Sequence, residues 1–407
     1  MKKYKDINLL DIQKNLGDIP KFINDAFDEA IENKASDFHI ESLKDFILFR
    51  YRIDGDFFIR NKISHENYSA IITILKVMAG LKIDENKRPQ DGKISYKSEK
   101  LNQDVDMRIS IMPTIYGEKI VIRILSQDSS ILTLEKMGFL EANNNKIKEV
   151  LKSRFGLILV AGPTGSGKST TLFSLINEFN PLEFNISTLE DPIEYNVDFV
   201  NQTQIRPSVG FNFADGLRSL VRQDPDIIMV GEIRDTETAT LAIEASLTGH
   251  LVLSTIHTNS ASATIQRLIN MGVEPFLISS ALKMVISQRL VKGICPHCKA
   301  ETQANPNLVS KAKEALQDLF DEEELANLKF YKGTGCEHCN NTGYKGRIGV
   351  HELLVLGDYL EESILTKKSS SHIHELAKEN GMITIMQDAI IKAIMGKTTL
   401  EEVFKLV

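Results

Sequence analysis

The chain has 407 residues, a length that suits two domains plus an appendage, and its 42% apolar and 25% charged residues give the ordinary balance of a globular protein. A net charge of −7 argues against a protein whose main task is to grip DNA or an anionic membrane, because such proteins are more often basic. No apolar run approaches the ~18–20 residues that span a bilayer, and the start of the chain lacks the apolar centre of a secretory signal, so a cytoplasmic protein is expected.

After an N-terminal tail at residues 1–19, residues 20–128 are predicted to form a small α+β domain. Apolar side chains recur at helical spacing in some segments and alternate along others. The predicted elements are, in chain order, a helix at Lys21–Lys34, a strand at Phe46–Ile53, a helix through Ile71 and Met78, and strands at Asp104–Ile111 and Lys119–Leu125. Asp54-Gly55 supplies a two-residue hairpin turn after the first of these strands.

Arginines occupy the polar faces of these predicted strands. Arg50 and Arg52 lie on the first strand, Arg108 on the second and Arg123 on the third, all on the face turned away from the core. Alternation alone favours a solvated sheet face, which is the ordinary arrangement for an antiparallel sheet.

The second part of the chain, residues 154–407, alternates short apolar strands with helices, which predicts a mostly parallel α/β sheet. A linker and an amphipathic helix at residues 129–153 precede it. A cysteine-bearing insert at residues 294–346 interrupts it, and a helical tail is expected from about Leu353 onward.

A phosphate-binding loop follows the first strand of this second part. The segment matches G-x-x-x-x-G-K-S/T between a predicted strand at Leu157–Ala161 and a predicted helix at Thr170–Glu178. Its residues are Gly162, Pro163, Thr164, Gly165, Ser166, Gly167, Lys168 and Ser169, and Thr170 continues the set into the helix. Backbone N–H groups and the helix N-terminus would bind the phosphates, Lys168 would neutralise their charge, and Ser169 would bind Mg²⁺. ATP is preferred over GTP because no N-K-x-D-type segment is evident.

Three later strands end in chemically capable side chains. Glu190 ends one strand, with Glu194 just beyond it as a further candidate nucleotide contact; Glu232 follows the second, and His257 ends the third. Since ligands bind at the carboxyl ends of strands in open α/β sheets, these side chains should converge with Lys168 on one edge. One carboxylate would act through the metal shell and the other would orient or deprotonate water, while His257 would contact the γ-phosphate or link the site to conformational change.

Each of these residues also has an ordinary structural explanation. A lone glutamate after an apolar strand is usually a capping or surface residue, and a lone histidine is usually structural. The joint pattern downstream of a phosphate-binding loop favours the catalytic interpretation. His250 stays open, because it precedes a strand and could serve mainly at the helix end that Gly249 marks.

At these residues the chain resembles the hexameric assembly ATPases of type II secretion and type IV pilus machines. The segments that resemble the family's motifs, among them its Walker A, Asp box, Walker B and His box, are Gly162–Ser169, Thr188–Glu194, Arg222–Asp226, Gly231–Asp235 and Thr248–Asn259. The segments that look like the domain preceding them in that family are Ser36–Glu41, Arg50–Gly55 and Met112–Glu118. The resemblance runs from about residue 20 to the end of the chain.

This resemblance implies a RecA-like ATPase domain preceded by a PAS-like domain, assembled as a homo-hexamer. It implies that Glu190 is the general base and that Glu232 serves Mg²⁺ and its water. It also implies that Arg108 and Arg123 reach the nucleotide from the PAS-like domain, which favours a catalytic role over a solvated face for those two arginines. The roles of Arg50 and Arg52 stay open.

The cysteines of the chain fall into two knuckles, Cys295-Pro-His-Cys298 and Cys336-Glu-His-Cys339, separated by 37 residues. Four thiolates at this spacing predict a closed structural zinc site. His297 and His338 are competing ligands, and four reduced thiols are the alternative without metal. The middle of the insert, from Leu308 to Leu328, is predicted to form one or two charged helices. The tetracysteine element is typical of assembly ATPases of the family and absent from its retraction ATPases.

The leading hypothesis is therefore an ATP-hydrolysing motor that drives pilin-like subunits into a filament through an inner-membrane platform protein, for secretion, pilus extension or DNA uptake. It would need ATP, Mg²⁺ and Zn²⁺, would sit at the membrane only through partners, and would not bind nucleic acid directly. Three different functions compete with it: a retraction motor of the same fold, a RecA-like DNA translocase and a non-catalytic nucleotide-binding scaffold. The knuckles disfavour the retraction motor, and the acidic total disfavours the translocase.

Overall fold

The computed structural model describes residues 2–3, 11–14, 16–125 and 133–406, and the chain divides into two compact units, Met1–Asp128 and Ser129–Val407. Residues 1, 4–10 and 15 of the predicted N-terminal tail and the start of the predicted linker, at residues 129–132, lie outside the described residues. None of the helices in the described part of the chain combines the length and the apolar content that a bilayer-spanning segment needs.

In its described residues, the first unit is an antiparallel sheet with two α-helices. Its elements are β1 (Lys2–Lys3), α1 (Ile19–Glu32), β2 (Asp37–Ser42), β3 (Ile47–Ile53), β4 (Asp56–Ile63), α2 (Tyr68–Met78), β5 (Gln90–Ser98), β6 (Gln103–Thr114) and β7 (Gly117–Leu125). The strand order is β1-β4-β3-β2-β7-β6-β5. Apolar residues of both helices and of the strands between them form one core. The α+β prediction is confirmed in these elements, whereas the PAS-like relationship stays a prediction.

The turn predicted at Asp54-Gly55 joins β3 to β4. Both residues have positive φ, 50° and 89°, as a tight two-residue hairpin turn requires. Strands β1, β2 and β5 of this sheet were not predicted, and β4 was implied only by the hairpin turn. In β5 only Ile94, Tyr96 and Ser98 are buried while the residues between them are exposed, as expected for a strand at the edge of a sheet.

The second unit begins with α3 (Leu134–Met137) and α4 (Glu141–Leu151) and continues as alternating strands and helices. These elements are β8 (Gly156–Ala161), α5 (Lys168–Ile176), β9 (Ile186–Glu190), β10 (Asn201–Gln204), α6 (Phe213–Leu220), β11 (Ile227–Val230), α7 (Thr236–Leu247), β12 (Leu251–Ile256), α8 (Ala261–Asn270), α9 (Pro275–Ala281) and β13 (Leu282–Ile294). Strands β8, β9, β11 and β12 are buried along their whole length, which explains the unbroken apolar runs of β8 and β11.

The sheet of the second unit has the order β10-β9-β11-β12-β8-β13-β16, where β16 is Tyr344–Val355. All neighbouring strands are parallel except β16, which runs antiparallel to β13. Successive residues of β8 point into two different cores, one on each face of the sheet. The prediction of a mostly parallel α/β sheet is confirmed.

The insert and the tail complete the second unit. Their remaining elements are β14 (Lys299–Thr302), α10 (Pro306–Leu316), α11 (Glu322–Ala326), β15 (Phe330–Gly333), α12 (Asp358–Leu365), α13 (Ser370–Glu379), α14 (Ile385–Ile394) and α15 (Leu400–Val403). The insert was predicted to contain one or two helices, and two are described, α10 and α11. The start predicted for the helical tail was wrong, because Leu353 lies in β16, where it pairs with Ile286 of β13. The first helix of the tail begins at Asp358.

Candidate active site and metal centre

The phosphate-binding loop leaves the carboxyl end of β8 and enters α5 at Lys168. Gly162 has a φ of 153°, and a Cβ there would lie 2.6 Å from Ser166 Oγ. Gly167, the residue that caps α5, has a φ of 87°. These positions demand glycine because the backbone folds tightly upon itself, and that path directs N–H groups into the concave side of the loop.

Lys168 lies among charged groups at the mouth of this loop. Its ammonium donates a hydrogen bond to the Pro163 carbonyl at 3.1 Å. The pKa of Lys168 is lowered, mainly by burial and also by the Arg289 guanidinium. The carboxylates of Glu232 and Glu194 act in the opposite direction and raise it. The predicted site residues Lys168, Glu232 and Glu194 are therefore close enough to interact electrostatically.

Glu190 ends β9 and is almost completely buried, with 4% of its surface exposed. Thr188 Oγ1 and Gln202 Nε2 both donate to its Oε1, at 2.6 Å and 2.8 Å. Burial raises the pKa of the Glu190 carboxyl, and these two hydrogen bonds partly offset that effect. A carboxylate with a raised pKa in a mostly dry setting has the character that a general base requires.

Glu232 follows the end of β11 and has partners on both carboxylate oxygens. Arg234 approaches Oε1 at 2.5 Å, and His257 Nε2 lies 3.6 Å from Oε2. His257, whose side chain is 49% exposed, comes directly after β12, the neighbour of β11. The structure therefore brings Glu232 and His257 together as the strand pattern led us to expect.

The remaining loop residues occupy the first turn of α5 and its approach. Ser169 is the second residue of α5, and the Thr170 hydroxyl lies 3.0 Å from the Tyr195 hydroxyl. Ser169 and Glu232 offer the oxygen ligands that suit Mg²⁺. His250 lies at the opposite end of β12 from His257, and its Nδ1 contacts the Ala245 carbonyl of α7 at 2.9 Å. This contact agrees with a structural role for His250 at the end of α7.

Sequence reasoning missed several residues of the site. Gln288 of β13 donates to the loop, and Arg289 of β13 lowers the pKa of Lys168. Gln202 of β10 donates to Glu190, and Arg234 forms an ion pair with Glu232. The side chain of Gln288 is 2% exposed, but the neighbouring sequence gives no signal of its role, because Ser287 and Arg289 on either side of it are also polar.

Arg50, Arg52, Arg108 and Arg123 alternate with the buried core residues of their strands and lie on the sheet face opposite the helices. Arg108 pairs directly with Arg123 across β6 and β7, and Arg123 Nε lies 3.2 Å from Asp37 Oδ1. A cavity of about 380 Å³ lies here, and the polar residues in its lining are Asp37, Asp91, Arg108, Ser110 and Arg123. The side chain of Arg123 is 62% exposed, so the ion pair with Asp37 leaves it open to solvent and to anions.

Arg50 and Arg52 have local partners. The Arg50 guanidinium lies 2.9 Å from Glu41 and 3.8 Å from the centre of the Phe57 ring, and the Arg52 guanidinium lies 4.2 Å from the same ring. These contacts give both side chains a structural role on the sheet face.

The four cysteines form one cluster. The Sγ–Sγ distances are 3.8 Å for Cys295–Cys336 and for Cys298–Cys339, and 3.7 Å for Cys336–Cys339. A tetrahedral site with Zn–S bonds of about 2.3 Å has ligand atoms about 3.8 Å apart, so these residues fit zinc.

The surroundings of the cysteine cluster also suit a thiolate site. Backbone N–H groups of Cys336 and Gly343 donate to Cys339 Sγ at 3.2 Å and 3.3 Å. Burial raises the pKa of the Cys339 thiol, whereas these donors and the thiols of Cys336 and Cys298 lower it to about 6; burial raises the pKa of Cys336 to about 11. The His297 and His338 rings are exposed and stack on each other with centroids 4.0 Å apart. The cluster of metal-ligating side chains contains only the cysteines, which disfavours these histidines as ligands.

Comparison with known proteins gives consistent relatives. Residues 12–405 match the family described as Type II/IV secretion system protein. The type IV pilus assembly ATPase PilB of Thermus thermophilus is 47% identical over 94% of this chain and 42% of its own length. Type II secretion system protein E of Aeromonas hydrophila is 43% identical over 95% of this chain and 75% of its own length. The crystal structure of the pilus retraction motor PilT with bound ADP is similar with a TM-score of 0.65 and 28% identity, covering 95% of this chain and 96% of PilT.

Proposed function

Because the chain belongs to the type II/IV secretion system protein family, we propose that it is an ATP-hydrolysing motor that powers assembly of pilin or pseudopilin filaments. The observation that carries this proposal is the arrangement at the carboxyl end of the parallel sheet, where Lys168, Glu232 and His257 meet beside the phosphate-binding loop. The chain spans less than half of the Thermus relative, so the activity of the whole protein is part of the proposal.

In this mechanism the loop Gly162–Gly167 binds the phosphates of ATP through backbone N–H groups, and Lys168 balances their negative charge. Mg²⁺, when bound through Ser169 and the Glu232 carboxylate, supplies positive charge along the phosphate chain. Phosphoryl transfer requires little covalent help from the protein, so positioning and charge account for most of the catalysis.

Glu190 then acts on the attacking water. Its buried carboxylate accepts the water proton as the water oxygen attacks the γ-phosphorus and the bond to the β,γ-bridging oxygen breaks, so that ADP and phosphate leave. The raised pKa of Glu190 makes it a better proton acceptor than an exposed glutamate. His257 lies 3.6 Å from Glu232 and is half exposed, so it can donate to a γ-phosphate oxygen as charge develops there. We further propose that Arg108 and Arg123 act on phosphate charge during turnover.

The cysteine cluster and the family relationship extend the proposal to cofactors, assembly and location. We propose one structural Zn²⁺ bound by Cys295, Cys298, Cys336 and Cys339, a homo-hexameric ring, and docking at the cytoplasmic face of the inner membrane through a platform protein. Similarity to PilT fits a retraction motor as the second candidate. The relatives named for assembly and secretion are more similar in sequence than PilT, which favours assembly.

Two variants test the enzymatic part of the proposal. Lys168→Ala should abolish tight binding of Mg·ATP, whereas Glu190→Gln should bind Mg·ATP and hydrolyse it at least ~10²-fold more slowly. Phosphate release and binding of a fluorescent ATP analogue should be measured on the same hexameric preparation. Normal hydrolysis by Lys168→Ala would refute the nucleotide site.

A DNA translocase and a nucleotide-binding scaffold would each behave differently in the same assay. Added DNA would stimulate phosphate release by a translocase, whereas a scaffold would bind ATP without releasing phosphate from an assembled ring. Phosphate release by the assembled ring at a rate that added DNA does not change would exclude both functions.

A further inference from the structure

We propose that Gln288 is a positioning residue that holds the phosphate-binding loop in its nucleotide-binding shape before ATP arrives. This inference rests on the proposed function, since it concerns the same loop. Gln288 lies on β13, far from the loop in sequence.

The side-chain amide of Gln288 bridges the two ends of the turn that binds phosphate. Its Nε2 donates to the Ser166 carbonyl at 2.7 Å, and its Oε1 accepts from the Thr171 hydroxyl at 2.6 Å. Ser166 lies in the loop and Thr171 lies in the first turn of α5. One side chain therefore fixes the loop and the helix N-terminus relative to each other, and these are the two sources of phosphate-binding N–H groups.

Gln288 also packs against two glycines of the loop. A Cβ added at Gly162 would lie 2.7 Å from the Gln288 carbonyl oxygen, and one added at Gly167 would lie 2.8 Å from Gln288 Nε2. The first and last glycines of the loop thus both pack directly on this residue. The register explains the contact: β13 pairs with β8 up to Ser287 opposite Ala161, so Gln288 is the next residue, beside the point where β8 becomes the loop.

The chemistry of the position calls for an amide. Gln288 is 2% exposed, and its site presents a carbonyl that needs a donor and a hydroxyl that needs an acceptor. A neutral carboxamide offers both, whereas an apolar side chain offers neither and a carboxylate offers only acceptors. The loop N–H groups gain affinity for phosphate if they are already oriented, because ATP then does not have to order them.

The test uses Gln288→Met, which has a similar shape and no hydrogen-bonding groups, and Gln288→Glu. Binding of a fluorescent ATP analogue with Mg²⁺ should weaken about 10-fold or more in Gln288→Met. In Gln288→Glu, the loss of affinity for the analogue relative to wild type should be large at high pH and should shrink as pH falls. A protonated carboxyl can donate to the Ser166 carbonyl as the amide does in wild type. A merely structural role predicts loss of thermal stability without such pH-dependent recovery of binding.

Thr171→Val is the second variant, since it removes only one of the two hydrogen bonds and should give a smaller loss of binding. Gln317→Met, at an exposed glutamine, is the matched control and should bind as wild type does. If Gln288→Met and Gln288→Glu bind the analogue as wild type at every pH while Lys168→Ala does not bind it, the inference is wrong and the nucleotide site stands. If wild type and Lys168→Ala bind alike, the nucleotide site fails and the inference fails with it.

Discussion

Gln202 Nε2 lies 2.8 Å from Glu190 Oε1 and donates a hydrogen bond to it across the two neighbouring parallel strands β10 and β9. The same Nε2 also donates to the Tyr195 carbonyl at 2.8 Å, which fixes the orientation of the amide. Gln202 therefore favours the ionised form of Glu190 against the effect of burial, which is the largest influence on that carboxyl and raises its pKa.

The pH dependence of hydrolysis should report this contact. A glutamate with a raised pKa takes up its proton at a higher pH than an ordinary glutamate, so the base is lost as pH falls through that raised pKa. Gln202→Leu removes a donor to the ionised form, raises the pKa of Glu190 further and should move the acid limb of the kcat profile to higher pH. At the acidic end of the profile, kcat of Gln202→Leu should be about 10-fold below that of wild type, whereas at high pH the two should be nearly equal.

Gln204→Leu is the control for this experiment, because Gln204 lies on the same strand and is exposed. Its kcat profile should overlay that of wild type. An unshifted acid limb in Gln202→Leu would mean that Glu190 does not supply the titrating base.

A second prediction separates the two histidines that flank β12. His257 follows the strand and lies 3.6 Å from Glu232, whereas His250 precedes it and contacts the end of α7. His257→Ala should lower kcat by ~10²-fold with little change in ATP affinity, since its donor would act on charge that develops during transfer.

The matched variant His250→Ala should keep kcat within a few-fold of wild type and lower only the melting temperature. Steady-state phosphate release gives kcat for both variants, and a thermal melt gives the melting temperature. Equal kcat losses in the two variants would contradict the assignment of His257 to the site.

The cysteine cluster gives a third prediction. Purified protein should contain about one zinc per chain, and Cys336→Ser should lose it, because removing one thiolate opens a closed tetrahedral site. The melting temperature should fall as well, since the cluster lies between β13 and β16, whose pairing extends from the sheet to Tyr344.

His338→Ala is the control in the same knuckle and should retain its zinc, because the His338 ring is exposed and stacks on His297. Metal content should be measured by mass spectrometry on both variants. Retention of zinc by Cys336→Ser together with its loss from His338→Ala would mean that His338 binds the zinc and Cys336 does not.

The parts of the site that could be predicted from sequence are local in the chain. Strand β12 begins with three apolar residues and is followed directly by His257, and β8 continues directly into the glycine-rich loop, so each side chain could be placed at a strand end. The cysteines were predicted to cluster because each knuckle is short, although the packing of the insert helices against α14 and α15 could not be foreseen.

Strand β13 shows why the rest could not be predicted. Lys283, Gln288, Arg289 and Lys292 interrupt its apolar pattern, so its sequence does not resemble that of a buried strand. Its partner β16 begins only after the four cysteines, and the partners of Gln288 lie in the phosphate-binding loop and in α5, more than a hundred residues earlier. Residues whose role depends on such long-range pairing carry no local signal of it.

A last prediction concerns a buried ion pair in the tail. Lys392 Nζ lies 2.5 Å from Asp388 Oδ2 and donates to the Gly349 carbonyl of β16 at 2.8 Å. Both side chains are almost fully buried, so Lys392→Met leaves a buried carboxylate without its cation and a carbonyl without its donor. The free energy of unfolding should fall by about 3–5 kcal/mol, whereas Lys378→Met, at a more exposed lysine, should cost less than about 1 kcal/mol.

The dependence of this loss on pH identifies its cause. Burial raises the pKa of Asp388 and Lys392 lowers it, so removing the lysine raises that pKa further. If the pKa of a carboxyl is higher in the folded state than in the unfolded state, the protein loses stability as pH rises. Lys392→Met should therefore be less destabilised at pH 5 than at pH 8. Adding Asp388→Asn to Lys392→Met should recover part of the loss at pH 8, because no charge remains buried. Denaturant unfolding at both pH values measures these differences, and a loss that neither pH nor the second substitution changes would point to packing instead of charge.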